Sequence, residues 1–196
     1  MSEVIVDTLT HSGNSSTANV TLSSNGNVAI AGALSAGSFV GAGLFSSYAI
    51  LEHQESDGTG GGDLTAGDWR TRKLTTEVAD ADGIVTLDTS TNRFTLQAGT
   101  YLIEWRMPGY NCETWQSRLQ NITDTSTAGQ GESHYTRSLY HQDWGEGVAR
   151  VTISGAKAFE IQQYANSTQN TNGMGVATSD SSGTEVYARV KIYKEA

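Results

Sequence analysis

The chain has 196 residues, with 22 Gly, a single Pro, a single Cys and a formal net charge of −9. That length fits one domain plus an appendage, and the acidity excludes broad binding to nucleic acid or anionic membrane. The lone Cys112 excludes an intrachain disulfide framework, and no apolar run approaches the roughly 18 residues of a membrane span.

Residues 1–47 contain no Lys, Arg, Trp or Tyr. The start, Met1-Ser2-Glu3, is acidic and no continuous apolar stretch follows, so no signal peptide is expected. Val4 and Val6 alternate with polar residues. The fragments Ala18-Val20-Leu22 and Val28-Ile30 flank Ser24-Asn25-Gly26-Asn27, a hairpin-turn signal between two alternating runs. Each fragment is too small to bury its apolar side chains within one chain. The segment is either a flexible tail or a stretch that gains order against copies of itself or a larger partner. The regular alternation favours the second. The small residues from Ala29 to Gly37 suit a narrow three-chain stem, and the Gly/Ser-rich run from Ser35 to Ser47 reads as a hinge.

Residues 48–196 are different material, long enough to bury about 68–70% of their unfolded surface. Tyr48 to His53 is a first expected strand. Asp57 to Gly62 is an exposed Gly-rich loop; no GK[ST] follows it, so it is no phosphate loop. Trp69 to Leu74 is a second short strand, with Arg70 and Arg72 on one face and expected to meet acidic neighbours. Asp80-Ala81-Asp82-Gly83 lacks the ligand spacing of an EF-hand and reads as a turn before a strand at Ile84 to Leu87.

The chain is organised around Phe94 to Tyr110. This reads as strand, a tight turn at Ala98-Gly99, a second strand, and a stop at Pro108-Gly109. Tyr101, Ile103 and Trp105 alternate with Leu102, Glu104 and Arg106, the pattern of a half-buried antiparallel strand. Further strands are expected at Gln116 to Ile122, at Ser133 to His141 after a Gly-rich turn at Thr127 to Gly131, and at Val148 to Ile153. After the turn Ser154 to Lys157, Phe159, Ile161 and Gln163 alternate with Glu160, Gln162 and Tyr164. In the last strand Val186, Ala188, Val190 and Ile192 are expected to face the core. Tyr187, Arg189, Lys191 and Tyr193 are expected to face outward, as trimer-interface candidates. About eight to ten strands with frequent turns and no helix make an all-β sandwich or barrel, with a jelly roll fitting the count.

Catalytic motifs are absent. His11, His53, His134 and His141 form no HExxH, and there is no GxSxG elbow. There is no Cys/His cluster for zinc. Neither enzyme activity, nor a cofactor, nor a metal site is expected. Recognition is better supported. Tyr110, Trp115, Tyr135, Tyr140 and Trp144, with His141 and Asp143, lie in or beside expected loops and short strands, and aromatics beside polar groups suit recognition surfaces. They form the receptor-facing candidate set.

Two resemblances add to this reading. Thr10 to Gly37, THSGNSSTANVTLSSNGNVAIAGALSAG, resembles the linker and shaft segments of bacteriophage tail fibres and other virion appendages. Phe94-Thr95-Leu96-Gln97-Ala98-Gly99-Thr100-Tyr101-Leu102 resembles the "F…PGxYxF" signature of complement-globular-head and tumour-necrosis-factor-like jelly rolls, with Ala98 where Pro is usual. Val151 to Phe159 resembles their "L…GDxVxL" hairpin, and Glu185 to Tyr193 stands in the place of their last strand. The resemblances imply a homotrimer with an attachment and stem segment at 1–47 and a jelly-roll head at 48–196. They imply a virion protein assembled in the host cytoplasm. It would be held to tail, baseplate or capsid proteins through residues 1–47 and bind a host glycan or outer-membrane protein, most simply as a short tail fibre. The alternative is a capsid decoration protein.

Overall fold

The computed structural model describes residues 8–9, 20–22, 28–30, 45–136, 141–180 and 183–195. The chain divides into two compact units, Met1–Ala42 and Gly43–Ala196. In the first, β1 (Thr8–Leu9), β2 (Val20–Leu22) and β3 (Val28–Ile30) make an antiparallel sheet in the order β1-β2-β3. Val20 pairs with Ile30 and Leu22 with Val28. The hairpin turn expected at Ser24 to Asn27 lies outside the described residues.

The second unit is all β among the described residues. Its strands are β4 (Phe45–Ser56), β5 (Arg70–Thr71), β6 (Thr76–Ala79), β7 (Val85–Asp88), β8 (Arg93–Leu96) and β9 (Gly99–Tyr110). They continue with β10 (Glu113–Asn121), β11 (Ser126–Thr136), β12 (Gln142–Ile153), β13 (Lys157–Ala165) and β14 (Thr184–Glu195). Two sheets face each other: β6-β4-β14-β9-β12, and β11-β10-β13-β8-β7 with β5 also paired to β13. The strand pairs β8/β9, β12/β13 and β13/β14 are consecutive in the chain, yet each splits between the two sheets. The short connections at Gln97-Ala98 and Ser154 to Ala156 therefore cross the sandwich rather than closing hairpins. That crossing is what makes the two layers a jelly roll.

Alternation in sequence becomes burial on one face. Tyr101, Ile103, Trp105 and Met107 of β9 meet Phe159 and Ile161 of β13, Leu119 of β10 and Phe94 of β8 in one apolar core. Phe94 and Phe159 are register partners with stacked rings 5.9 Å apart.

The sheets touch edge to edge at one register pair, Gly131 of β11 opposite Gly147 of β12. Both glycines are required by packing. A Cβ on Gly147 would lie 2.0 Å from the Trp105 ring. A Cβ on Gly131 would lie 2.1 Å from Ser117 Oγ and 2.9 Å from the Glu146 carbonyl oxygen. The glycine-rich run from Thr127 to Gly131, expected as a turn, is therefore strand. The chain turns earlier, at residues 122–125.

Three further expectations are corrected. First, β9 does not stop at Pro108-Gly109 but runs to Tyr110. β14 accompanies β9 only to Arg106, so beyond it no strand pairs along that side of β9 and proline's missing donor is tolerated there; the segment around Gly173 covers it, its carbonyl accepting from the Tyr110 N–H at 3.2 Å. The Pro108 carbonyl accepts instead from Gln163 Nε2 at 3.5 Å. Second, Arg72 meets no acid. It is fully buried, donating from Nη1 to Gln163 Oε1 at 3.0 Å and from Nη2 to the Met174 carbonyl at 2.9 Å. Third, a bulge between Val186 and Ala188 inverts the first part of β14. Tyr187 is thereby buried and Val186 exposed, the reverse of the expected pattern.

Candidate functional site

The outer face of the first sheet is built in rows across β4, β14, β9 and β12. One row is Glu52, Arg189, Arg106, Glu146. The next is Ile50, Lys191, Glu104, Val148, and the third is Tyr48, Tyr193, Leu102, Arg150. The ion pairs run along these rows. Arg189 Nε meets Glu52 Oε1 at 2.6 Å, Arg106 Nε meets Glu146 Oε1 at 3.2 Å, and Lys191 Nζ meets Glu104 Oε2 at 3.5 Å. Arg150 is held by both carboxylate oxygens of Glu195, a pairing that raises its already high pKa. Apolar groups stand open among the charges: Val148 is 58% exposed and Tyr48 54%. A groove of about 780 Å3 runs across the face, bordered by Trp144, Val148 and Val186.

Of the interface candidates, Arg189, Lys191 and Tyr193 lie on this face. Tyr193 packs its ring 5.0 Å from Phe45. Tyr187 does not belong with them. Its hydroxyl donates to the Thr59 carbonyl at 2.6 Å, its ring lies 5.3 Å from His53, and burial pushes its pKa up to about 12.

The receptor-facing candidates are dispersed. Trp115 is buried, on the inner face of β10. Its indole fills the space over Gly109 and Gly145, where a Cβ would approach the ring to 2.6 Å. His134 stacks on it at 4.5 Å, with Nδ1 3.0 Å from Asp143 Oδ2. Burial works against ionisation of Asp143, but hydrogen bonds from His134 and from the Trp144 backbone N–H hold its carboxyl below the ordinary value. Trp115 and Asp143 thus belong to one packed seam, and Trp115 has no surface to offer a receptor. Trp144 is half-exposed on the opposite side of β12, with the Arg106 guanidinium 4.8 Å above its ring. Tyr110 is half-buried and His141 exposed at the junction of β9 with β12. Tyr135 is 54% exposed on the outer face of the second sheet. Tyr140 lies outside the described residues.

Sequence reasoning missed the half-buried Tyr164, Gln116 and Trp69, which border Tyr135's face. Part of the signal was present: Tyr164 has the parity of an outward position on β13, where Phe159, Ile161 and Gln163 alternate with it. No His, Cys, Asp or Glu cluster suited to a metal ion occurs among the described residues.

No family model and no curated protein matches the sequence. Among solved structures, the chain is similar to murine APRIL at pH 8.0. The TM-score is 0.50 at 8% identity, over 76% of this chain and 98% of that one. It is also similar to the globular domain of zebrafish complement 1qA protein, with a TM-score of 0.48 at 13% identity over 75% of this chain and 95% of that one. For Eiger TNF from S. frugiperda the TM-score is 0.44 at 12% identity, over 76% and 92%. The APRIL likeness bears on fold alone. The expected all-β jelly roll is the fold of this chain.

Proposed function

We propose that this chain is a homotrimeric phage virion protein, a short tail fibre whose head binds a host surface receptor. The observation that carries the reading is the outer face of the first sheet. Its rows place exposed Val148 and Tyr48 among charges of both signs, with Glu52 and Glu146 outside Arg189 and Arg106, and exposed Val186 borders the groove beside them. Apolar groups left open on a sheet among charges of both signs are suited to contact with neighbouring copies of the chain, and a ring of three closes when one part of this face meets a different part on the next copy. The resemblance of Thr10 to Gly37 to shaft segments supports the virion context. Three copies of one weak receptor site gain avidity where spacing permits.

Light scattering on the full chain tests the assembly. The expected mass is three times that of the chain, and Val148→Glu is expected to reduce it to one copy with an unchanged β spectrum. A single copy for the unmodified chain overturns the trimer. Fractionated particles test the role: tails separated from heads should carry the protein. Its recovery on empty shells instead replaces the fibre reading with shell decoration.

A further inference from the structure

The second sheet carries a groove of about 390 Å3 on its outer face, across β11, β10 and β13. Two cross-strand rows make it. In one, Ser133, Gln116 and Tyr164 are successive register partners. In the other, Tyr135 pairs with Thr114, and the Asn166 backbone N–H donates to the Thr114 carbonyl at 3.0 Å. The two tyrosines sit on strands separated by β10 and in rows two residues apart, so their backbones stand about 12 Å apart by strand spacing and rise.

We propose that this groove binds a neutral saccharide. Its upper surface is two aromatic rings and an array of amides and hydroxyls, and the residues that line it include no Asp, Glu, Lys or Arg, with His134 turned to Asp143. A sugar ring presents a C–H face that packs on an aromatic ring, and equatorial hydroxyls that take amide N–H and C=O groups. The chain's charge of −9 disfavours an acidic sugar.

The groups are held in place before any ligand arrives. Gln116 donates its Nε2 to the Gly131 carbonyl at 3.0 Å, which leaves Oε1 to accept. Asn166 is fixed by donating its Nδ2 to Thr114 Oγ1. Tyr164 is braced by Trp69, 5.7 Å away, and Trp69 is itself held under the Arg118 guanidinium at 4.2 Å. Such bracing cuts the ordering cost of binding. Below the floor, Trp115 and His134 are stacked on the inner side of the strands, so the groove cannot collapse into the core. The groove also lies on the opposite sheet from the face assigned to self-association, and a trimer formed there leaves it open.

This inference names the ligand class of the receptor-binding reading and rests on that reading for its biological role. Saturation-transfer NMR on the full chain tests it, with the methyl glycosides of glucose, galactose, mannose and N-acetylglucosamine as probes and sialic acid as the acidic comparison. At least one neutral glycoside should bind. Tyr135→Ala and Tyr164→Ala should each weaken it at least about tenfold, with an unchanged melting temperature for the exposed Tyr135 variant. No binding by any neutral glycoside, tighter binding of sialic acid, or binding indifferent to both tyrosine variants overturns the proposal. Host adsorption that is unchanged in both variants also overturns it, while leaving receptor recognition intact. A single-copy chain that still binds sugar through Tyr135 overturns the trimer and keeps the groove.

Discussion

Trp105 and Ser117 stand in opposite sheets, and the indole Nε1–H of the first donates to the hydroxyl of the second at 2.9 Å in the core. The bond lies beside the Gly131–Gly147 pair, where the sheets meet. Its donor is large and fully enclosed, so it has no water to fall back on. Ser117→Ala should therefore cost about 1–3 kcal/mol, the penalty of stranding a buried donor. Urea unfolding monitored by tryptophan fluorescence measures it. An unchanged midpoint would mean that the indole finds another partner.

The seam itself has no room for side chains. Gly147→Ala places a methyl group inside the Trp105 ring, 2.0 Å from its nearest atom. Ring and backbone must both move, and a loss of about 1–3 kcal/mol or more is expected. Gly155→Ala is the comparison: nothing lies within 4 Å of the added carbon, and the change should stay within about 0.5 kcal/mol. Thermal melts of the two variants side by side decide the matter.

Trp115→Ala should act through stability and not through loss of a receptor contact. The ring it removes is enclosed over Gly109 and Gly145, and deleting a buried Trp costs about 3–5 kcal/mol. The milder Trp115→Phe keeps most of the volume. Its folded fraction should show wild-type adsorption to host cells; weakened adsorption by a stably folded Phe variant would restore Trp115 to the binding set.

Acid should weaken the head through His53. The imidazole is sealed, with Nε2 3.0 Å from Glu55 Oε1 and Nδ1 unpartnered among the described residues. Burial outweighs the Glu55 hydrogen bond and lowers its pKa from 6.5 to about 4. The unfolded chain thus takes up the proton first. Stability is complete above pH 6.5 and falls as the pH drops toward 4. The loss reaches up to about 3 kcal/mol at about 1.4 kcal/mol per pKa unit. Denaturant midpoints across that range should decline, and His53→Phe should flatten the slope. An equal slope in that variant would assign the acid sensitivity elsewhere.

Arg72 is sealed as well, and burial pulls its pKa down to about 9. It is held by two neutral acceptors and no carboxylate. Arg72→Ala strands both acceptors and opens a cavity, for an expected loss of about 3–5 kcal/mol. Arg72→Lys should rescue little, since a single ammonium does not reproduce the planar fork. Full recovery with Lys would show that charge alone is needed there.

The strands were legible where alternation ran unbroken. In β13, Phe159, Ile161 and Gln163 are buried as their spacing requires, because a two-residue period translates directly into two faces. The inward side of β9, from Tyr101 through Trp105, was legible for the same reason. Failures came where one residue broke the count or where glycine had two meanings. The extra residue at the β14 bulge moves Tyr187 inward, and no local composition marks it. Gly129 and Gly131 look like turn residues, yet Gly131 serves the close approach of two strands distant in sequence. Trp115 looked available because its neighbours in sequence are polar, but they occupy the other face of the same strand.

The sequence by itself determined an all-β chain with a distinct leading segment, an acidic surface and no catalytic motif, because composition and period act locally. Only the tertiary structure decided that Tyr135 and Tyr164 border one groove, that Trp115 is sealed beneath it, and that Arg189 and Lys191 share a face with Val148. Those neighbours come from different strands, and their meeting depends on register and sheet order, which no local stretch of chain encodes.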